Sequence, residues 1–142
     1  MIEGIKYAVM AIIFNKEGQV LMVSRKNDHS SMGLPGGKVD PEDNSLEEAL
    51  AREVKEETGL DISNPQIIYV KFRDGYLGYT YLCEYSGEVS YDKEKEPHVV
   101  KWGEFSEVER GSFGWWNTQV AESLEGMGIE FVRNNAPDTV KK

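Results

Sequence analysis

The sequence predicts an α/β protein of the α+β kind, with a mixed β-sheet lying between helices. Three observations predict it. Short runs rich in β-branched and aromatic residues recur between turn signals. Two stretches carry apolar residues at helical spacing. With 142 residues, 39% of them hydrophobic and 29% charged, the chain can bury one sizeable core but not two. A single domain over residues 1–133 is therefore expected, followed by a disordered tail over 134–142, where Pro137 and two terminal lysines stand.

The elements follow in order. Residues 7–14 and 19–24 are β-rich runs separated by the turn signal NKEG. Residues 25–32 read as a polar loop. The stretch LPGGK reads as a break in regular structure, because Pro35 lacks a donor and Gly36-Gly37 adopts conformations closed to other residues. A helix of about four turns then ends at Gly59. Asn44 or Ser45 can cap its start, and Ser45 with Glu48 has capping-box spacing. Beyond the Asn64-Pro65 turn, residues 67–73 and 79–85 form paired strands around Asp74-Gly75. After the charged loop SGEVSYDKEKEPH, residues 98–102 read as a strand. Phe113, Trp116, Val120 and Leu124 mark a second amphipathic helix, and residues 129–132 a short strand.

Charge and composition narrow the partners. A formal net charge of -9 argues against a grip on duplex nucleic acid or on an anionic membrane, both of which select basic faces. An anionic ligand would need a cation as intermediary. Cys83 is the only cysteine, which excludes an internal disulfide and suits a small buried hydrophobe. The apolar run at 8–14 is too short to span a bilayer and has no basic leader, so a cytoplasmic protein is expected. Monomer and homodimer both remain open.

The first helix carries the chemistry. With Leu46 at zero and about 100° per residue, Ala49, Leu50 and Val54 fall near 300°, 40° and 80° and mark a buried arc. Glu53 and Glu57 fall near 340° and 20°, about the middle of that arc. An unpaired carboxylate out of water costs several kcal/mol, so something must compensate these two. Glu53, Glu56 and Glu57 are three and four residues apart, which suits a hard divalent cation held by carboxylates and substrate phosphates. A solvated face of i,i+4 charge pairs is the alternative. It accounts for Glu48, Arg52 and Lys55, but not for Glu53 and Glu57.

The segment GGKVDPEDNSLEEALAREVKEETGL, residues 36–60, resembles the signature box of the Nudix hydrolases, which cleave the pyrophosphate bond of a nucleoside diphosphate linked to another group. The box runs Gly, five residues, Glu, seven residues, then Arg-Glu-aliphatic-any-Glu-Glu-any-Gly-aliphatic. Gly37 opens it, and residues 52–60 match its second half throughout. The first half departs: the loop carries one extra residue, with Asp43 or Asn44 where the family has glutamate. Asp43 could replace the charge and Asn44 could cap the helix.

The resemblance implies an α/β/α sandwich and a Mg²⁺ cofactor, which Mn²⁺ could replace. It makes Glu53, Glu56 and Glu57, with the Gly37 carbonyl, the metal ligands, and Arg52 the residue that orients a neighbouring glutamate. Arg52, Glu53 and Glu56 are then the catalytic set. The implied reaction turns a nucleoside triphosphate into a monophosphate and pyrophosphate. Alternatives are a dinucleoside polyphosphate or nucleotide-sugar hydrolase, or a nucleotide-binding module without catalysis. Arg25 and Lys38 are candidates for phosphate contacts, and Tyr76 and Trp102 for stacking on a base. Glu94, Glu96 and His98 are candidates for a base outside the box, with a solvated loop and a structural histidine as the alternative. Trp115 and Trp116 read as packing. The proline that ADP-ribose-cleaving members carry after the box is absent from residues 69–78, and Tyr76 is a weak match to the tyrosine of dinucleoside polyphosphate hydrolases.

Overall fold

A computed structural model describes residues 1–134. In chain order the elements are β1 (Lys6–Ile12), β2 (Val20–Arg25), β3 (Asp28–Gly33), β4 (Gly36–Lys38), α1 (Leu46–Thr58), β5 (Asp61–Arg73), β6 (Tyr76–Ser86), β7 (Val100–Gly103), α2 (Phe105–Glu109) and α3 (Gly114–Gly126). They belong to two compact units. The first joins residues 1–12 to 35–91, and the second joins residues 13–34 to the chain from residue 92 onward. The class is α+β, as expected.

In the first unit four strands run in the order β4-β1-β6-β5. β1 is parallel to β6, while the β1–β4 and β5–β6 pairs are antiparallel, so this is a mixed sheet. α1 packs on β1, β4 and β5 and buries Ala49, Leu50 and Val54, the arc its periodicity marks. Ser45 is the cap: its Oγ accepts from the Glu48 N–H at 3.0 Å, while the Glu48 carboxylate accepts from the Asn44 N–H at 3.2 Å. Gly59 ends the helix in the left-handed region at φ 80°, as the sequence predicts.

Two breaks in the sequence prove to be parts of the ladder. The LPGGK glycines form β4, with Gly37 opposite Val9 and Gly36 opposite Met10. A Cβ on Gly36 would lie 2.0 Å from the Val9 carbonyl oxygen, so glycine is what allows the two backbones to approach. Asn64-Pro65 is not a turn between elements but an irregularity inside β5, where Asn64 takes φ 49° and the register shifts between Ser63 and Gln66. The Asp74-Gly75 turn forms as expected, with positive φ at both residues.

The second unit holds the antiparallel sheet β3-β2-β7, with α2 packed on β3 and α3. Residues 25–32, expected as a loop, contain most of β3, because a strand needs backbone partners more than apolar side chains. α2 is invisible to periodicity: five residues are too few to show it. No strand forms at residues 129–132. Instead the Val132 N–H donates to the Gly18 carbonyl and the Val132 carbonyl accepts from the Phe105 N–H, while Phe131 lies 5.4 Å from Phe14 and 5.3 Å from Phe105 between ring centroids. The expected disordered tail falls at 135–142, outside the described residues, and on Asn134, whose side chain donates to Glu104.

One buried charge organises this unit. The Glu109 side chain is fully buried and accepts from Arg133 Nε at 2.7 Å, Arg133 Nη2 at 2.8 Å and Thr118 Oγ1 at 2.8 Å. Removing one partner of such a pair strands the other. Arg133→Met is therefore expected to lower unfolding stability by about 3–5 kcal/mol, measured by chemical denaturation. A loss within about 0.5 kcal/mol, the range of ordinary surface changes, would mean that Glu109 is satisfied without it.

Candidate active site

The box lies wholly in the first unit, and β4 is set on β1 directly ahead of α1. A Cβ on Gly37 would meet the Glu53 carboxylate at 2.6–2.8 Å, so the carboxylate rests against bare backbone. Glu57, one turn further on, accepts from the Gly36 N–H at 2.8 Å. The Glu53 side chain is 18% exposed and that of Glu56 51%. Burial raises the Glu53 carboxyl above its ordinary value, and the neighbouring Arg52 guanidinium opposes the shift.

Arg52 is the hub. Its Nε and Nη2 donate to the two oxygens of Asp43 at 3.0 and 2.8 Å, a bidentate pair. Nη1 reaches Glu53 at 3.1 Å and Glu56 at 3.6 Å, and Nη2 reaches the Lys38 carbonyl at 3.4 Å and Asp40 at 3.3 Å. Asp43 is buried and also accepts from the Asp40 N–H at 2.8 Å, which closes the loop on itself. The aspartate thus meets the arginine despite the extra residue and the shorter side chain. These bonds hold the Asp43 carboxyl below its ordinary value and raise the Arg52 guanidinium above its own.

The three glutamates share a helix but do not, as they stand, turn to one point. Glu53 and Glu56 lean to Arg52, and Glu57 to the Gly36 N–H. Among the described residues no group of three or more His, Cys, Asp or Glu is set to hold a metal ion. The physical reason is that neighbouring carboxylates repel and each takes the nearest donor. The donor set itself is all hard oxygen, and the bare backbone at Gly37 leaves its groups open beside Glu53, so these residues fit Mg²⁺ in kind.

Lys38 and Tyr76 come together in the same unit, the ammonium 5.3 Å from the ring centroid. Lys6 lies over the same ring at 5.8 Å. Nothing in the residue order marks Lys6, because only the β4-β1-β6 order brings residues 6, 38 and 76 together. Asp40 goes unmarked for a like reason, as the loop fold alone turns it to Arg52. Arg25, exposed at the end of β2, and Trp102, in β7 opposite Leu21, belong to the second unit. So do Glu94, Glu96 and His98. Glu94 is exposed, whereas His98 is buried with Nδ1 3.6 Å from Glu96, and Trp116 is buried in α3, so both take the packing alternative.

The family model of the NUDIX domain matches residues 4–124. The chain belongs to the Nudix family. Over 123 residues this Nudix domain is 27% identical to a MutT-like protein of Streptomyces ambofaciens, covering 85% of this chain and 78% of the relative. It is 28% identical over 106 residues to an 8-oxo-dGDP phosphatase of Mus musculus, covering 70% of this chain and 32% of that protein. Against several relatives it spans less than a third of their length. A crystal structure of a MutT NUDIX hydrolase from Burkholderia pseudomallei aligns with TM-score 0.59 and 29% identity over 71% of this chain and 84% of that one. An ADP-ribose pyrophosphatase from Streptococcus suis shares the fold, with TM-score 0.69 at 24% identity over 90% of this chain and 96% of the other. No described helix is long and apolar enough to cross a membrane.

Two outcomes follow from this geometry. Gly37→Ala is expected to push the Glu53 carboxylate out of place and cut turnover at least about tenfold with little loss of fold, as read by kinetics and circular dichroism. The second concerns acid. Asp43 has a lowered carboxyl in the folded state, so its contribution is complete above about pH 4, the ordinary aspartate value, and fades as pH falls toward the folded value. Asp43→Asn should therefore be less stable than the parent at pH 7, with the difference shrinking on acidification, as followed by denaturant melts across pH.

Proposed function

We propose that this Nudix domain hydrolyses the pyrophosphate bond of a nucleoside diphosphate-linked substrate, with a nucleoside triphosphate giving a monophosphate and pyrophosphate as its reaction. The observation that carries this reading is the pair of contacts Glu53 on Gly37 and Asp43 on Arg52, which hold a half-desolvated carboxylate at an open backbone. A module that only bound nucleotide would not need that clamp. In this reading residues 1–133 act as one domain, in the cytoplasm.

Glu53, Glu56 and Glu57, with the Gly37 carbonyl, would hold Mg²⁺, or Mn²⁺ in its place. When bound, the ion neutralises charge on the pyrophosphate and makes a water more acidic. Arg52 keeps Glu53 oriented and is itself held by Asp43. Lys38 offers its ammonium to a phosphate and Tyr76 its ring to the nucleoside. The mouse relative's name points to oxidised guanine nucleotides, and its substrate is the first to try.

The test is incubation of the protein with and without Mg²⁺ against nucleoside triphosphates, oxidised guanine nucleotides, dinucleoside polyphosphates and nucleotide sugars, with products resolved by chromatography. Mg²⁺-dependent release of a nucleoside monophosphate is expected. Glu53→Gln should lower turnover at least about a hundredfold while the protein stays folded. Wild-type turnover in that variant would remove Glu53 from the site, and nucleotide binding without turnover across the panel would leave the non-catalytic module.

A further inference from the structure

A chain of net charge -9 has acids to spare for its cations. Lys26, Lys55 and Lys101 each have one, at 3.8, 3.2 and 2.7 Å. Lys6 and Lys38 do not. Among the described residues neither ammonium has an acid within ion-pair distance, and both lie instead by the Tyr76 ring, 5.8 and 5.3 Å from its centroid. Two ammoniums drawn to one ring repel each other, and exposed cation–π contacts offset that only weakly. An anion beside them would reverse the balance. Their placing follows from the ladder. Lys6 pairs with Tyr76 across β1 and β6, and Lys38 with Ala8 across β4 and β1, so all four share one face of the sheet. Ala8, between the two lysines on that face, is too short to hold them apart. Gly37, one residue before Lys38, presents the opposite face of β4 to the Glu53 carboxylate.

We propose that Lys6 and Lys38 together bind a phosphate of the substrate other than the two joined by the bond that is cut. The inference rests on the reading of this domain as a nucleotide pyrophosphohydrolase. The carboxylates of the box lie on the α1 side of β4, so a phosphate on the other side needs cations of the protein itself. Among the described residues β4 is an edge strand, and it is three residues long, so a nucleotide can lie across it with a phosphate on each face. Charge decides which kind of phosphate. A terminal or ribose-linked phosphate carries about 1.5 to 2 negative charges at pH 7, and two lysines match it better than they match a bridging phosphate. A lysine is a point charge on a flexible stem and meets a phosphate from many directions. Lys38 alone would assist any phosphate; Lys6 adds the second charge and with it the preference. That phosphate comes either from the far end of a triphosphate chain or from the ribose of the nucleoside at Tyr76.

Calorimetric binding in Mg²⁺, with ligands that cannot be cut, tests this apart from turnover. The α,β-methylene analogue of a nucleoside triphosphate is compared with that of the diphosphate, and nucleoside 2′,5′- and 3′,5′-bisphosphates with the 5′-monophosphate. In one of the two comparisons the extra phosphate is expected to tighten binding at least about tenfold, and the comparison that shows it identifies the source. Lys6→Met, at an exposed position, should remove most of that gain, and Lys6→Arg should keep it. Lys55→Met, which removes an exposed lysine of α1, should keep it as well. In turnover the loss in Lys6→Met should fall on KM rather than on kcat. No gain in either comparison, a gain undiminished in Lys6→Met, or an equal loss in Lys55→Met, the mark of net charge alone, would overturn the proposal. A gain that depends on Lys6 in a protein that turns nothing over would bear out the phosphate site and remove the reaction instead.

Discussion

The bidentate contact between Arg52 and Asp43 is the interaction on which the site depends. A guanidinium with five donors can serve several acceptors at once, and here it ties the loop ahead of α1, the β4 backbone and two glutamates of α1 to one point. Without it Asp43 would be a buried carboxylate with one N–H partner, and Glu53 would lose the cation that offsets its desolvation. The helix could still form, because its caps lie at Ser45 and Gly59. What would be lost is the placing of its carboxylates.

Close backbone approach is the complementary constraint. Gly36 and Gly37 lie where any side chain would strike β1 or the Glu53 carboxylate, and a Cβ on Gly59 would lie 1.9 Å from the Ser90 carbonyl oxygen. Each glycine lets one segment of the first unit close on another, so the helix that bears the carboxylates is anchored at both ends. A rigid anchor at each end is what a site needs when its groups must be held to within a fraction of an ångström.

Much of the site is legible in the order of residues along α1. The helical wheel sets Glu53 and Glu57 inside the apolar arc, and the fold places Glu53 against Gly37 and Glu57 on the Gly36 N–H. Asp43 as the stand-in for the missing glutamate is legible as a charge near the right place, but its contact with Arg52 depends on a loop closed by the Asp40–Asp43 bonds. The strands β3 and β4 escape sequence reading because polar and glycine-rich residues carry no apolar alternation; their stability comes from neighbours supplied by β2 and β1. The Lys6–Tyr76–Lys38 group escapes it because its members meet only through sheet order.

By itself the sequence determined what depends on local chemistry: the α1 periodicity and its caps, the Asp74-Gly75 turn, the oxygen donors of the box and the net negative charge. Those follow from residue spacing along one chain, where three or four residues make a turn and two positive-φ residues make a hairpin. The tertiary structure decided which carboxylate Arg52 would grip, which glycines became a strand, and that β5 would stand at an edge with Ile67, Val70 and Phe72 uncovered. These are relations between segments far apart in the chain, and they depend on which backbone groups find partners and which side chains lose water when the whole chain packs.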